Sequence, residues 1–249
     1  MNYKDEYTDF AKDYDLFGEI NEPNAAERDF LDAVLAECRA KTVLDCACGT
    51  GNHLVMLGRL GYAVSGSDYS GDMLGICREN LAKFGVEAET KQCDYRDLSS
   101  AWEGKFDAVL CLTQAINHML TEEDLVRALS SMRERLNENG VLILTQSTTH
   151  RVLSDEFQFS LVVNTPAFTR ILARDIDGGF QTIHVLDIFH SETKNEMKQH
   201  DIHIKIILDG EYRDLIAKAG FSKCEIWGGY DRSAYDRETS WKLIVAARP

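Results

Sequence analysis

Positive charge is scarce in this sequence. Lysine and arginine together number 27 against 41 aspartates and glutamates, a formal net charge of −14 over 249 residues. A surface of that sign repels phosphate backbones unless a local basic patch reverses it. No such patch exists, since the densest basic stretches are pairs broken by acids, as in Arg133-Glu134-Arg135. A nucleic-acid partner is therefore not expected. Long apolar runs are also missing, and none approaches the roughly 18 residues a membrane helix needs. The opening Met1-Asn-Tyr-Lys-Asp-Glu6 is polar and acidic, unlike a signal or transit peptide. The expectation is a soluble cytoplasmic protein.

Metal-binding spacing is absent as well. The seven cysteines fall at 38, 46, 48, 77, 93, 111 and 224, mostly inside apolar runs where a thiol behaves as a small hydrophobe. Cys46-Ala-Cys48 is too tight for the usual zinc spacing, and no second Cys or His pair completes a tetrahedral set. An odd count of buried thiols suits a reducing compartment, and no metal is expected. What the chain does have is ordinary core material: 44% hydrophobic and 27% charged residues. At about 150 residues per domain, its length suits one large domain or one domain with a sizeable insertion.

The first part of the chain alternates between two periods. Thr42 to Cys46 reads as a buried strand, then Asn52 to Leu60 as a helix with Leu54, Leu57 and Leu60 on one face. A strand over 63–67 precedes a helix over 71–84 that stops at Gly85. Further strands are expected at about 86–93 and 106–112. Thr121-Glu-Glu-Asp124 resembles a capping box, behind which Leu125, Leu129, Met132 and Leu136 line one helical face. Asn139-Gly140 is expected to end that helix before a fifth strand at 141–144. Strands alternating with amphipathic helices imply a parallel sheet covered on both faces.

After Gln146 the rhythm changes. From about 157 to 208 the pattern is strand-like, and Asp177-Gly178-Gly179 marks a hairpin turn. Ile202, Ile204, Ile206 and Leu208 alternate with His203, Lys205 and Ile207, which suggests one buried and one mixed face. The α/β rhythm then resumes with Tyr212, Leu215, Ile216 and Ala219, closed by Gly220, and strands at about 221–227 and 241–247. No internal repeat or low-complexity tract interrupts the chain. Trp102 and Trp241 look like core or edge packing, whereas Trp227-Gly-Gly-Tyr230 forms a strand-end loop that could touch a ligand.

The most informative stretch is Val43-Leu-Asp45-Cys-Ala-Cys-Gly49-Thr-Gly51-Asn-His-Leu54. A strand ending in an acid, then Gly-x-Gly, then a helix is a nucleotide-site layout. A dinucleotide fingerprint would place a third glycine where Leu54 stands, so a pyrophosphate fits poorly. A ligand without phosphate still gains from Gly49 and Gly51, whose missing Cβ atoms let it lie on the backbone. Asp68 follows 17 residues after Gly51, at the end of the second strand, where a carboxylate can accept from a ribose diol. Asp94 ends the third strand, beside Tyr95. Three acids at consecutive strand ends converge on one crevice, because ligands of open α/β sheets bind outside the carboxyl ends.

Together these segments resemble the class I S-adenosylmethionine-dependent methyltransferases. Asp45-x-x-x-Gly49-x-Gly51 is similar to their first motif, Asp68 to their ribose acid, and Asp94-Tyr95 to their adenine-side motif. Phe106-Asp-Ala-Val-Leu-Cys-Leu112 and Asn139-Gly-Val-Leu-Ile-Leu144 are similar to the later strand motifs, so the resemblance covers about 10–146 and 209–249. Ala47-Cys-Gly-Thr-Gly51, Ser70-Gly-Asp-Met73-Leu74 and Cys111-Leu112 with His118 resemble glycine N-methyltransferases and amino-sugar N,N-dimethyltransferases. The resemblance implies a seven-stranded, mostly parallel Rossmann-like sheet with an antiparallel β insertion after the fifth strand. It implies S-adenosyl-L-methionine as cofactor, held by Asp45, Gly49, Gly51, Asp68, Tyr69, Asp94, Tyr95 and the backbone carbonyl of Leu112.

The implied reaction is an in-line displacement at a sulfonium methyl group, in which the protein mainly aligns nucleophile, methyl and sulfur. An amine nucleophile must be neutral, so a base or a deprotonating environment helps. Candidates come from the loop after the fourth strand: Gln114, Asn117 and His118. Tyr3, Tyr7 and Tyr14 belong to an N-terminal segment similar to one that folds over the cofactor in relatives, with Tyr14 beside the reacting methyl. Metal-dependent O-methyl transfer is disfavoured because no acid lies between Asp107 and Glu122. The Asn/Asp-Pro-Pro-aromatic signature of nucleic-acid amino-methyltransferases is missing from a chain with only three prolines.

The expected organisation is a lid segment over 1–30, a cofactor-binding core over 31–146 and 209–249, and a β-rich cover over 147–208. Arg170, Arg174, His184 and His200 are its candidate pocket residues. A small-molecule amine is the expected acceptor. A hydroxyl or carbon acceptor, a non-catalytic sensor of the adenosyl ligand, and a homo-oligomer stay open.

Overall fold

The computed structural model describes residues 10–17, 24–155 and 158–249. Its main sheet has strands β1 (Thr42–Asp45), β2 (Ala63–Asp68), β3 (Ala88–Gln92), β4 (Phe106–Cys111), β5 (Leu136–Gln146), β10 (Lys223–Trp227) and β11 (Leu243–Arg248). Their order is β10-β11-β5-β4-β1-β2-β3. The first five strands pair in parallel, and β11 runs antiparallel to both β5 and β10. This is the mostly parallel seven-stranded sheet the sequence implied.

Strand alternation divides the core into two layers. Val43, Ala108, Leu110, Val141, Ile143, Ile244 and Ala246 face one side, against α2 (Ala25–Glu37), α3 (Asn52–Arg59) and α4 (Gly71–Phe84). Their neighbours Leu44, Val109, Cys111, Leu142, Leu144, Val245 and Ala247 face the other, against α5 (Glu122–Glu134) and the helix Asp209–Lys218. Successive residues of a strand point to opposite faces. A sheet covered on both sides therefore needs continuous apolar runs, which these strands have. Truncating any one of the buried leucines to alanine would cost about 2–5 kcal/mol.

Two boundaries differ from the sequence expectation. The helix carrying Leu125, Leu129 and Met132 stops at Glu134, and Asn139-Gly140 lies inside β5 rather than ending the helix. The ladder shifts register between Phe106 and Ala108 opposite this stretch. A Cβ on Gly140 would sit 3.1 Å from the Asp107 carbonyl oxygen and 3.0 Å from that of Asn137. The glycine thus permits a β-bulge. Leu60, expected on the apolar face of α3, follows that helix and is exposed.

The inserted segment forms a second, antiparallel sheet of β6 (Phe159–Asn164), β7 (Phe168–Asp177), β8 (Phe180–Phe189) and β9 (Glu196–Lys205), paired in that order. Gly178 and Gly179 both have positive φ, +54° and +87°, as a tight hairpin between twisted strands requires. One face carries Leu172, Ile183, Val185, Ile202 and Ile204 towards the main domain, where Phe10 packs on them. The short helix α1 (Ala11–Tyr14) follows Phe10.

Candidate active site

Two adjoining cavities open at the carboxyl ends of β1, β2 and β4. The smaller, about 100 Å3, is lined by Cys46, Asp68, Tyr69, Met73, Tyr95 and Ala115, among others. The larger, about 630 Å3, runs beneath the inserted sheet and includes Gln114, Thr148, Arg174, Ile183, Trp241 and Lys242 in its wall. Tyr14, Ala47, Gly49, Thr113 and His118 line both. That shared ring is where a group could pass from one chamber to the other.

The glycine turn forms the floor. Gly49 and Gly51 have φ of +51° and +89°, and a Cβ on Gly51 would meet Cys77 Sγ at 2.7 Å. A Cβ on Gly49 would instead enter open space, the space a ligand lying on the turn would fill. Asp68 braces this turn, accepting from the Gly49 amide at 2.9 Å and the Ser70 amide at 2.8 Å. Burial raises its carboxyl above the ordinary range, and the Ser70, Gly49 and Tyr69 amides offset part of that. Asp45 is fully buried at the end of β1, where desolvation pushes it up to about 6. An acid with free lone pairs beside a bare glycine backbone fits an adenosyl ligand, as does an apolar wall of Met73 and Tyr95.

Not every expected residue reaches this wall. Asp94 caps the turn that follows β3, accepting from the Arg96 amide at 2.9 Å, and its carboxylate pairs with Arg96 Nη2 at 2.6 Å. It lies outside the cavity lining, whereas its neighbour Tyr95 is within it and donates to the Ala115 carbonyl at 2.9 Å. The Leu112 carbonyl accepts from the Ala115 amide at 3.1 Å. Asn117 is fully buried and donates to the Lys205 carbonyl at 2.9 Å, tying the core to β9 rather than facing a cavity. Tyr3 and Tyr7 lie outside the described residues.

His118, Tyr14 and Gln114 do line the larger chamber. Burial pulls the His118 imidazole down to about 4, so near neutral pH it is uncharged and a weak base. Burial, and next Asp68, raises the Tyr14 phenol, which stays protonated. Gln114 Oε1 accepts from the Thr148 amide at 2.9 Å and its hydroxyl at 2.6 Å. Thr113 and Gln114 are consecutive non-glycine residues with φ of +52° and +68°. Such geometry costs of order 1–3 kcal/mol per residue and persists where surroundings enforce it. Here Thr145 enforces it, accepting from the Gln114 amide at 2.8 Å and the Thr113 amide at 3.0 Å. Neither residue type announced this bend.

On the inserted sheet, Arg174 faces the larger chamber, donating to Ser160 Oγ at 3.1 Å. His184 does not, because it alternates with inward Ile183 and Val185. It sits on the outer face between Asp201 at 2.7 Å and Asp175 at 3.1 Å. Arg170 and His200 share the inner face but lie at its other end, against Phe10. Arg170 is fully buried, with Nε and Nη2 each 2.6 Å from the Asp187 carboxylate oxygens. Its Nη2 also donates to the Asp13 carbonyl at 2.7 Å. Asp13, Asp187 and His200 bring ligand-type atoms within 4.8 Å of one another. Arg170 and Lys198 supply the cationic charge there, the latter 2.7 Å from Asp13.

Sequence reasoning missed a charged group behind the glycine turn: Glu27, His53 and Lys242, all lining the larger chamber. Tyr230, from the strand-end loop already suspected, donates to Glu27 at 2.7 Å. Trp241, expected to pack, is 55% exposed and lines the chamber, with Arg151 4.6 Å over its ring.

This fold and crevice define an S-adenosylmethionine-dependent methyltransferase, and the chain belongs to that family. Residues 43–140 match the methyltransferase domain model. Over 249 residues the chain is 34% identical to a glycine/sarcosine N-methyltransferase of Halorhodospira halochloris, covering 99% of this chain and 90% of that protein. A protein of the same description from Parasynechococcus marenigrum is 36% identical, over 93% and 81% of the two chains. The CcbJ methyltransferase of Streptomyces caelestis shares the fold, with a TM-score of 0.80 at 18% identity over 99% and 97% of the two chains. The protein is an enzyme that uses S-adenosyl-L-methionine and a small-molecule acceptor.

Proposed function

We propose that the protein methylates the nitrogen of a small amine that also carries an anionic group, in the manner of a glycine or sarcosine N-methyltransferase. The observation that carries this reading is Arg174, a guanidinium in the wall of the acceptor chamber that donates to Ser160 Oγ. Burial lowers its pKa, with Asp155 opposing, so it stands to gain from an anionic ligand. Two relatives named for glycine and sarcosine, both amino acids with a carboxylate, support the same assignment.

Gly49, Asp68 and the shared ring would hold the cofactor, which would supply a methyl group activated by a sulfonium. The chain's own task is alignment, which is worth up to about 7–11 kcal/mol in well-oriented systems. Arg174 would anchor the acceptor carboxylate, while neutral His118 would accept a hydrogen bond from the amine and point its lone pair at the methyl carbon. Transfer would form a C–N bond on the acceptor in exchange for the cofactor's C–S bond. The electron pair of that bond would stay on sulfur, and the methylated ammonium would lose its proton to solvent. Tyr14 from the 1–30 segment and the 147–208 cover would exclude water. The −14 charge supports a small-molecule acceptor over a nucleic acid.

Incubation with cofactor and either glycine, sarcosine or methylamine, read by product mass, tests the proposal. Glycine and sarcosine should be methylated and methylamine poorly. Arg174→Gln should raise KM for the carboxylate-bearing acceptors by tenfold or more, the worth of one hydrogen bond to a charged group. Equal use of methylamine would overturn it.

A further inference from the structure

Lys242 and Arg174 both line the acceptor chamber, and only Arg174 has a role so far. Arg174 stands on β7 of the inserted sheet, Lys242 on the rim of the main sheet. Lys242 immediately precedes β11, whose Leu243 pairs with Gln146 at the carboxyl end of β5. It therefore stands at the edge on which the glycine turn also opens. Its Nζ donates to Ser147 Oγ at 2.9 Å and lies 5.7 Å from the Tyr230 ring centre. Burial lowers its pKa, with Glu27 opposing.

Neither cation forms an ion pair among the described residues. A surface cation needs none, because water serves it, but a half-buried one is stabilised by a counter-ion. The chain has acids in excess, 41 against 27 basic residues, and places them on other enclosed cations. Arg170 is held by Asp187, and Arg96 by Asp94 and Asp124. Glu27, whose charge Lys242 senses, accepts instead from Tyr230 at 2.7 Å and lies 3.6 Å from His53. The chamber is also larger than a glycine needs, at about 630 Å3. At about 30 Å3 per water-sized group, glycine's non-hydrogen atoms fill ~150 Å3 and the cofactor's methionine end ~270 Å3. About 200 Å3 is then left on that scale, room for a side chain on the acceptor.

We propose that Lys242 is a second anion anchor, and that the acceptor is an amino acid whose side chain carries a carboxylate or a phosphate. The proposal rests on the reading of Arg174 as the anchor of the first carboxylate. Such a molecule has three groups for three stations. Its amine sits at the ring shared by both chambers, its α-carboxylate at Arg174 and its side-chain anion at Lys242. A phosphate brings a charge of about −1.5 to −2 to that last station, a carboxylate a single one. The bond exchange is unchanged. The acceptor nitrogen gains the methyl carbon in exchange for the C–S bond, whose electron pair stays on sulfur, and a proton leaves to solvent. Lys242 adds the choice of acceptor, because an uncharged side chain gains little from its ammonium.

Matched acceptors separate charge from size. Initial rates, read by product mass, would compare L-glutamate with L-glutamine, L-aspartate with L-asparagine, and O-phospho-L-serine with L-serine. At least one charged member should exceed its neutral partner tenfold or more in kcat/KM, the worth of one hydrogen bond to a charged group. The pair that shows it tells carboxylate from phosphate and sets the reach of the side chain. In Lys242→Gln that preference should shrink at least tenfold, mainly through KM. Arg174→Gln should instead raise KM for charged and neutral members alike. Absence of any preference for charge, or its survival in Lys242→Gln, overturns the proposal without touching the Arg174 reading. If Arg174→Gln leaves every KM unchanged, that reading fails and takes the proposal with it. Lys242→Met provides the same comparison if the glutamine variant fails to fold.

Discussion

A general base beside the transferred methyl would need a pKa near neutrality, yet burial holds His118 at about 4. Its depressed value makes the folded state lose stability as pH falls from the unfolded histidine range towards 4. It does not titrate near neutral pH. The rate between pH 6 and 9 should therefore follow ionisation of the acceptor amine. His118→Asn should lower kcat while leaving the shape of that profile unchanged, and a lost limb near pH 7 would contradict this. Asp45 has the opposite sign. Its folded pKa of about 6 lies above the ordinary 3.8, so its contribution is full below about 4 and is lost as pH rises towards 6. The gap corresponds to ~3 kcal/mol at most. Asp45→Asn should flatten the stability curve between pH 4 and 6, read by thermal unfolding across that range.

At the scale of elements, the contact between α1 and the inserted sheet decides where Tyr14 sits. Arg170 spans the two, holding Asp187 on β8 and the Asp13 carbonyl on α1. Removing one member of a buried pair strands the other, at a cost of about 3–5 kcal/mol. Arg170→Met should show that loss in urea unfolding. The double variant Arg170→Met, Asp187→Leu should recover most of the stability, because no charge is left buried and unpaired. It should still bind cofactor more weakly, since the α1 carbonyl has lost its donor. Wild-type cofactor affinity in the double variant would mean that Arg170 has no hold on the segment.

For the whole molecule, hydrogen bonds from buried side chains tie the core to the end of the inserted segment. Asn117 donates to the Lys205 carbonyl at 2.9 Å and Gln146 to the Ile207 carbonyl at 2.8 Å. The Tyr212 hydroxyl donates to Gln146 Oε1 at 2.8 Å. The main sheet has its own two-layer core, independent of the inserted one. Replacing β6 to β9 with a short linker should leave a folded protein that binds cofactor, more weakly for lack of the α1 contact, and transfers no methyl group. Loss of folding would make the second sheet part of the core. Retained transfer would assign it to assembly instead.

The sequence by itself determined the parallel sheet, its glycine turn and the second, antiparallel sheet. Apolar runs such as Ala108–Cys111, the Gly49-x-Gly51 spacing and the Gly178-Gly179 hairpin are local signals, since each needs only its own few residues to state its geometry. It did not determine the end of α5, because Asn139-Gly140 reads as a helix stop until the bulge opposite Asp107 is known. Nor could it separate Arg174 from Arg170, which share one strand face and differ only in what the fold lays against each. The tertiary structure alone brought Glu27, His53 and Lys242 together, from positions about 90 Å and about 620 Å of extended chain apart on the scale of about 3.3 Å per residue. It alone bent Thr113 and Gln114 into left-handed conformations. Burial, strain and charge pairing depend on neighbours in space, and those neighbours exist only once the chain has folded.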